Sequence, residues 1–200
     1  AQLLESQKDT PNFKVLVETI SSEANRISCI VKDMLCYARA GEEKGYHDAE
    51  DLFSGVVNLA KSQLEKDGIK LDKIISSESP RAFCNKRQIQ QVILNLIQNA
   101  RDALNTRYGT GSHKDKTLIL KVDKVGGFLE LSVTDFGCGI PQPNIKKLTT
   151  PFFTTKPAGV GTGLGLPISQ TIANEHKGCL RVESVEGEFT TVTLSIPAGE

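Results

Sequence analysis

The stretch that most constrains the fold is residues 91–104, QVILNLIQNARDAL. Val92, Ile93, Leu94, Leu96, Ile97, Ala100, Ala103 and Leu104 all favour burial, and a helix this apolar belongs in a core. Yet it carries Asn95 and Asn99, four residues apart and so one turn above each other on the same face. Buried polar side chains are hydrogen-bonded, and one asparagine could simply satisfy neighbouring backbone. Two in register point instead to a ligand or a metal.

The surrounding pattern fixes the architecture around that helix. Upstream, after Thr10-Pro11, apolar residues run Phe13, Val17, Ile20, Ala24, Ile27, Val31, Met34, Ala38, with spacings alternating between four and three. That is the seam of a coiled coil or helical bundle, a helix over about 12–40 that cannot bury itself and needs a partner. Gly41, in the polar AGEEKG, ends it. Beyond the linker, residues 49–66 read as an amphipathic helix, 69–76 as a strand and 81–84 as a short strand. Asn85 caps a helix from 86 to about 105, and 106–116 is a polar loop. Strands at 117–124 and 127–135 are joined by Gly126-Gly127, a tight hairpin turn. Glycine-rich loops fill 136–163, followed by a helix at 164–176 and strands at 178–185 and 189–196. Helices set apart from a meander define an α+β fold, a two-layer α/β sandwich of one helix layer on a mixed, mainly antiparallel sheet.

Composition narrows the classes. Two hundred residues that are 38% hydrophobic suffice for a real core. Lys+Arg and Asp+Glu both number 24, so no basic excess suggests nucleic acid. No apolar run reaches the roughly 18 residues of a membrane span. The chain opens on AQLL without an initiator Met and reads as a fragment. Its five cysteines (Cys29, Cys36, Cys84, Cys138, Cys179) show no C-x-x-C pairing, and reduced, buried thiols are the simplest expectation.

Three clusters, two of them glycine-bearing, follow the asparagine helix. In DFGCGI (135–140), the Asp135 carboxylate can accept from an exocyclic amino group, while glycines let a flat base approach the backbone. Adenine offers such an amino group where guanine has a carbonyl. In PFFTTK (151–156), Phe152 and Phe153 read as an apolar staple and Lys156 as a group free to meet an anion. In GVGTGLGL (159–166), alternating glycines lead into a helix, exposing N–H groups and the positive dipole end. The sequence matches neither the P-loop nor the Rossmann fingerprint. Together the clusters read as a triphosphate lid beside an adenine carboxylate.

In NLIQNARDAL, DFGCGI, PFFTTK and GVGTGLGLPIS, four motifs in order, the chain resembles the ATP-binding catalytic domain of two-component sensor histidine kinases, the Bergerat fold, over about residues 48–197. The short lid and PFFTTK are most similar to its nitrogen-regulation branch. The resemblance implies a protein-histidine kinase with ATP and Mg2+ as cofactors. Asn99 would be the Mg2+ ligand, and Asp135 would hold adenine between Gly137, Gly139 and Ile140. Gly161, Thr162, Gly163, Leu164, Gly165 and Leu166 would wrap the phosphates. Lys156 would reach the γ-phosphate, Asn95 would stand in the catalytic centre, and Thr190 or, as the preferred candidate, Thr191 would complete the adenine site. It further implies a response-regulator receiver domain as partner and a homodimer through the helical hairpin. Residues 1–41 would be a partial hairpin, 42–48 a linker and 49–200 the catalytic domain, cytoplasmic within a full-length protein open to membrane anchoring.

Two departures stand out. Asp102 occupies a position where the family often has Lys, and no His followed by an acidic residue and Pro occurs. His47, His113 and His176 read as surface or capping residues, so the phosphoacceptor is expected outside this chain. The alternatives are an ATP-hydrolysing relative on the same fold and a nucleotide-binding dimerisation module without catalysis. The hydrolases place a Glu general base one turn before the magnesium Asn, where this chain has Asn95.

Overall fold

The computed structural model describes residues 15–17, 19–21, 24, 27, 44–76, 81–157 and 161–199. Most of the expected seam helix lies outside them. The described residues between 15 and 27 are helical and exposed, including Val17, Ile20 and Ile27 of the seam.

The elements from residue 45 onward are β1 (Gly45–Asp48), α1 (Ala49–Lys66), β2 (Lys70–Ile75), β3 (Arg81–Cys84) and α2 (Lys86–Tyr108). Next come β4 (Thr117–Val125), β5 (Phe128–Asp135), the short α3 (Gln142–Ile145), α4 (Gly165–Glu175), β6 (Cys179–Val185) and β7 (Phe189–Pro197). Five strands form one sheet in the order β2-β4-β5-β7-β6, with β2 parallel to β4 and every other pair antiparallel. The α+β class expected from the sequence is the observed one.

Period-two alternation decides which face is buried. Leu129, Leu131 and Val133 of β5 and Val192, Leu194 and Ile196 of β7 join one core with Leu118, Leu120 and Val122 of β4. Onto this face packs α2, flanked by α1 and α4. It contributes Ile89, Val92, Ile93, Leu96, Ile97 and Leu104, each nearly fully buried and each stabilising by about 1.5–3 kcal/mol. Leu94, expected inside, is 41% exposed. Its neighbours one turn either way are Gln90 and Gln98, so it shares the solvent side of the helix. Gly126 (φ 56°) and Gly127 (φ 82°) make the β4–β5 turn with two left-handed residues, as a tight hairpin demands.

The helix ends are tied by polar side chains. Asn85 caps α2, its side chain accepting from the Gln88 N–H at 3.1 Å. His176, expected as a surface or capping residue, is the C-cap of α4 and only 5% exposed. Its Nε2 accepts from the Asn85 N–H at 3.0 Å, and Nδ1 lies 2.8 Å from the Ile172 carbonyl. Burial holds this imidazole below its usual pKa, in keeping with a neutral ring that donates from one nitrogen and accepts at the other. Asp67, past the end of α1, accepts from Arg101 and Asn105 of α2.

Three expectations are corrected. The stretch read as linker contains β1, antiparallel to β3. The Tyr46 and Phe83 rings meet at 5.2 Å, and Arg81 pairs with Asp48 at 2.9 Å; four residues are too few to show alternation. His47 therefore lies in a strand, while His113 is exposed and stacks on Tyr108 at 4.5 Å. Of the cysteines, Cys84 is buried, but Cys138 on a loop and Cys179 on an edge strand are exposed; Cys29 and Cys36 lie outside the described residues.

Candidate functional site

Asp135 ends β5 on the inward parity of Leu129, Leu131 and Val133, which leaves the residue 4% exposed. Burial pushes its pKa up to about 7, against the opposing pull of the Gly137 N–H, which donates to Oδ1 at 2.9 Å. The chain then turns flush against α2. A Cβ on Gly137 would stand 2.6 Å from the Ala103 carbonyl carbon, and one on Gly139 (φ 64°) 2.1 Å from the Val185 oxygen. Side chains at either position would push the loop off its supports.

That loop is clamped by residues the motif reading missed. Arg107 Nη1 donates to the carbonyls of Gly137 (2.9 Å), Phe136 (3.1 Å) and Glu188 (3.3 Å), binding the end of α2 to the loop and to the β6–β7 turn. The Ile140 N–H donates to Ser184 Oγ at 2.8 Å, and the Gly187 N–H to the Cys138 carbonyl at 2.8 Å. For Ser184 a sequence signal existed. It continues the inward parity of Leu180 and Val182, and a polar residue at an inward position needs a partner.

Parity also separates the two threonines. Thr190 pairs in register with Asp135, is 6% exposed and meets Ser184 Oγ at 2.9 Å. Thr191 pairs with Thr134, hydroxyl to hydroxyl at 2.9 Å, on the opposite face of the sheet. Thr191 is therefore not brought to Asp135. Thr190 is, because residues 190, 192, 194 and 196 share the helix-facing side.

The paired asparagines look toward the glycine cluster. Neither is fully buried. Asn95 Nδ2 donates to the Gly165 carbonyl at 3.3 Å, tying α2 to the start of α4. Asn99 Oδ1 accepts from Lys156 Nζ at 3.0 Å, and the same ammonium lies 2.6 Å from Asp102 Oδ2. There is no room for a side chain at Gly161, where a Cβ would come 2.5 Å from Thr154 Oγ1 and 3.1 Å from the Lys156 Cβ. Gly163 (φ 67°) lies against the backbone of Phe152 (φ 67°), whose N–H donates to the Gly163 carbonyl at 3.0 Å. The staple reading fails for Phe152, which is 60% exposed; its backbone does the holding, and only Phe153 is half-buried. Thr162 Oγ1 accepts from the Leu164 N–H at 3.3 Å. Leu164 and Leu166 turn inward, and Gly159 lies outside the described residues. Among the described residues no side chain caps the start of α4 at Leu164, which leaves the N–H groups of Gly165 and Leu166 to an anion.

The site thus has a buried carboxylate and close-approach glycines at one end. At the other it has an ammonium, two carboxamides and an uncapped helix start. A ligand with an amino-bearing flat ring and an anionic tail matches both ends. Among the described residues no group of three or more His, Cys, Asp or Glu could hold a metal, and no helix is long and apolar enough to cross a membrane.

Residues 84–200 match the family model described as histidine kinase-, DNA gyrase B- and HSP90-like ATPase. Sporulation kinase E of Bacillus subtilis is 30% identical over 197 residues, which cover 93% of this chain and 24% of that protein. Sensor histidine kinase ZraS of Salmonella typhimurium is 30% identical over 183 residues, 91% of this chain and 37% of that protein. The chain thus spans well under half the length of these curated relatives. Among solved structures, the nucleotide-free catalytic domain of histidine kinase ThkA superposes with a TM-score of 0.66 at 28% identity, covering 78% of this chain and 96% of that one.

Proposed function

Because the chain belongs to the histidine kinase-, DNA gyrase B- and HSP90-like ATPase family, as an ATP-binding catalytic domain of histidine-kinase type, we propose that it supplies the phosphoryl-donor half of a sensor histidine kinase. It aligns ATP so that the γ-phosphoryl passes to an imidazole on another segment, for relay to a response-regulator receiver domain. One observation carries the choice of kinase over hydrolase. Position 95 holds a carboxamide that donates to the Gly165 carbonyl. A carboxamide cannot take a proton from water, so the site has no general base there.

In this reading Asp135 accepts from the adenine amino group, Gly137, Gly139 and Ile140 line the ring, and Thr190 stands beside it. Gly161, Thr162, Gly163, Leu164, Gly165 and Leu166 surround the phosphates. The donor set suits Mg2+: Asn99 Oδ1 already faces a cation, the Lys156 ammonium at 3.0 Å, and one neutral oxygen is enough for a hard ion that leans on phosphates and water. Bound there, the ion would neutralise phosphate charge. Lys156 is assigned to the γ-phosphate. The seam at 12–40 is assigned to a homodimeric hairpin that precedes the catalytic domain, with the domain in the cytoplasm.

Steady-state phosphate release tests the assignment. The chain is expected to bind ATP while turning over far below the roughly 1–10³ s⁻¹ of typical enzymes. Hydrolysis within that range would overturn the kinase reading.

A pH dependence follows from Asp135. Only the ionised carboxylate is a full acceptor for the amino group, and its folded pKa is about 7. ATP affinity should therefore fall as pH drops below about 7, approaching tenfold per unit. The nucleotide-free domain behaves oppositely. Its folded carboxyl holds a proton more tightly than the unfolded one, whose pKa is near 3.8, so the stability gained from that proton is lost as pH rises toward about 7. The ATP-induced rise in melting temperature should consequently grow between pH 6 and pH 8. A shift that shrank over this range would contradict the assignment.

A further inference from the structure

Asp102 stands three residues after Asn99, one turn further along α2. Its carboxylate is held from its own helix, Oδ1 accepting from Gln98 Nε2 at 2.9 Å with Arg101 Nη1 at 3.9 Å. The other oxygen, Oδ2, receives Lys156 Nζ at 2.6 Å, and that ammonium also donates to Asn99 Oδ1 at 3.0 Å. The pair is mostly shielded, with side-chain exposures of 29% for Lys156 and 24% for Asp102. Gly161 passes close to Thr154 and the lysine stem, for a Cβ there would come 2.5 Å from Thr154 Oγ1 and 3.1 Å from Lys156 Cβ.

From this geometry we infer that Asp102 is a positioning residue that parks Lys156 on the Asn99 oxygen as an internal cation, so that Mg-nucleotide enters only by displacing it, and that Lys156 then repays its displacement only when a γ-phosphate is present. The inference rests on the assignment of Asn99 to the metal and Lys156 to the γ-phosphate. Two cations cannot share one carboxamide oxygen at close range without strong repulsion. Lys156 must therefore leave Asn99 when a metal-bound nucleotide arrives. With ATP, the released ammonium gains a charge-assisted bond to the terminal phosphate. With ADP it gains none, and its return to Asn99 and Asp102 opposes the nucleotide. The Asp102–Lys156 pair thus lowers affinity for both nucleotides, while Lys156 alone sets the preference for ATP. After phosphoryl transfer the same lysine favours release of ADP.

The decisive variant is the double substitution D102N/K156M, which removes one charge of each sign and leaves the local net charge unchanged. Calorimetric titrations of the 200-residue chain with ADP and with a non-hydrolysable ATP analogue, each over a range of Mg2+, read the effect without any turnover. The double variant should bind ADP several-fold more tightly and reach half-maximal ADP binding at several-fold lower Mg2+. Its preference for the analogue over ADP should narrow by roughly tenfold or more, the size of one charge-assisted bond. Asp102→Asn alone, which keeps the lysine, should tighten both ligands and leave the preference in place. Unchanged ADP affinity, Mg2+ requirement and preference in the double variant would overturn the inference alone, provided Asn99→Ala still raises the Mg2+ requirement. If Asn99→Ala left that requirement untouched, or the wild-type chain bound neither nucleotide, the site assignment beneath it would fall as well.

Discussion

Replacing Asp135 by Asn is expected to weaken ATP binding by roughly ten- to a hundredfold or more, the value of a charge-assisted hydrogen bond. The substitution is nearly isosteric, so the loop should survive. The carboxamide oxygen can still accept from the Gly137 N–H, the contact that Asp135 Oδ1 makes at 2.9 Å. What changes is the second atom, an acceptor oxygen in Asp and a donor amide in Asn. Adenine's amino group would then face another donor. The nucleotide-free domain should not lose stability at neutral pH, because burial that raises the Asp135 pKa to about 7 is a penalty on the charged form. Calorimetry should thus show lost affinity beside an unchanged or raised melting temperature, and the pH dependence of binding between 6 and 8 should vanish. ATP affinity equal to the wild type would place the adenine elsewhere.

Lys116→Met is expected to be the most destabilising single change outside the site. Lys116 is fully buried, and its Nζ donates to the carbonyls of Asp67 (2.6 Å), Gly109 (2.7 Å) and Gly111 (3.1 Å). Asp67 is the C-cap of α1 and Gly109 the C-cap of α2. One ammonium therefore serves the negative ends of two helix dipoles and uses all three of its donors. Its backbone is engaged too, with the Lys70 N–H donating to its carbonyl at 2.9 Å where β2 and β4 begin to pair. Methionine fills similar space but leaves the acceptors unserved, at about 1–3 kcal/mol each before any water reaches them. A loss of about 3–5 kcal/mol would lower the melting temperature by roughly 10 °C or more for a domain of this size. A drop of only a degree or two in a thermal melt would mean that water replaces the ammonium without cost.

Much of this molecule was legible in its residues alone. Helix α1 falls on the residues its amphipathic pattern indicated, and Asn85 caps α2 as its type and place suggested. The β4–β5 hairpin sits on Gly126-Gly127 because few residues other than glycine accept two successive positive φ values. The motif clusters were readable for a related reason. Asp135, Gly137 and Gly139 are close in sequence, and the loop that holds them is local.

What stayed hidden involves partners far apart in the chain. Lys116 sits in the polar run HKDK and looks like a surface residue, yet it is buried by carbonyls as distant as Asp67. His176 looked like a helix-end residue and proves to be the acceptor for a backbone N–H ninety-one positions away. Asp102 seemed only a departure from a pattern until Lys156 was found on it. Local periodicity and backbone preference come from neighbours a few residues apart, and the sequence by itself determined α1, α2, α4 and the strands of the five-stranded sheet with their hairpin turns, while the four-residue β1 and α3 were too short to show a period. Which polar groups are buried, and against what, depends on how the layers close. Only the tertiary structure decided that, because the cost of an unsatisfied buried group is met by whichever donor or acceptor the packed fold brings within about 3 Å.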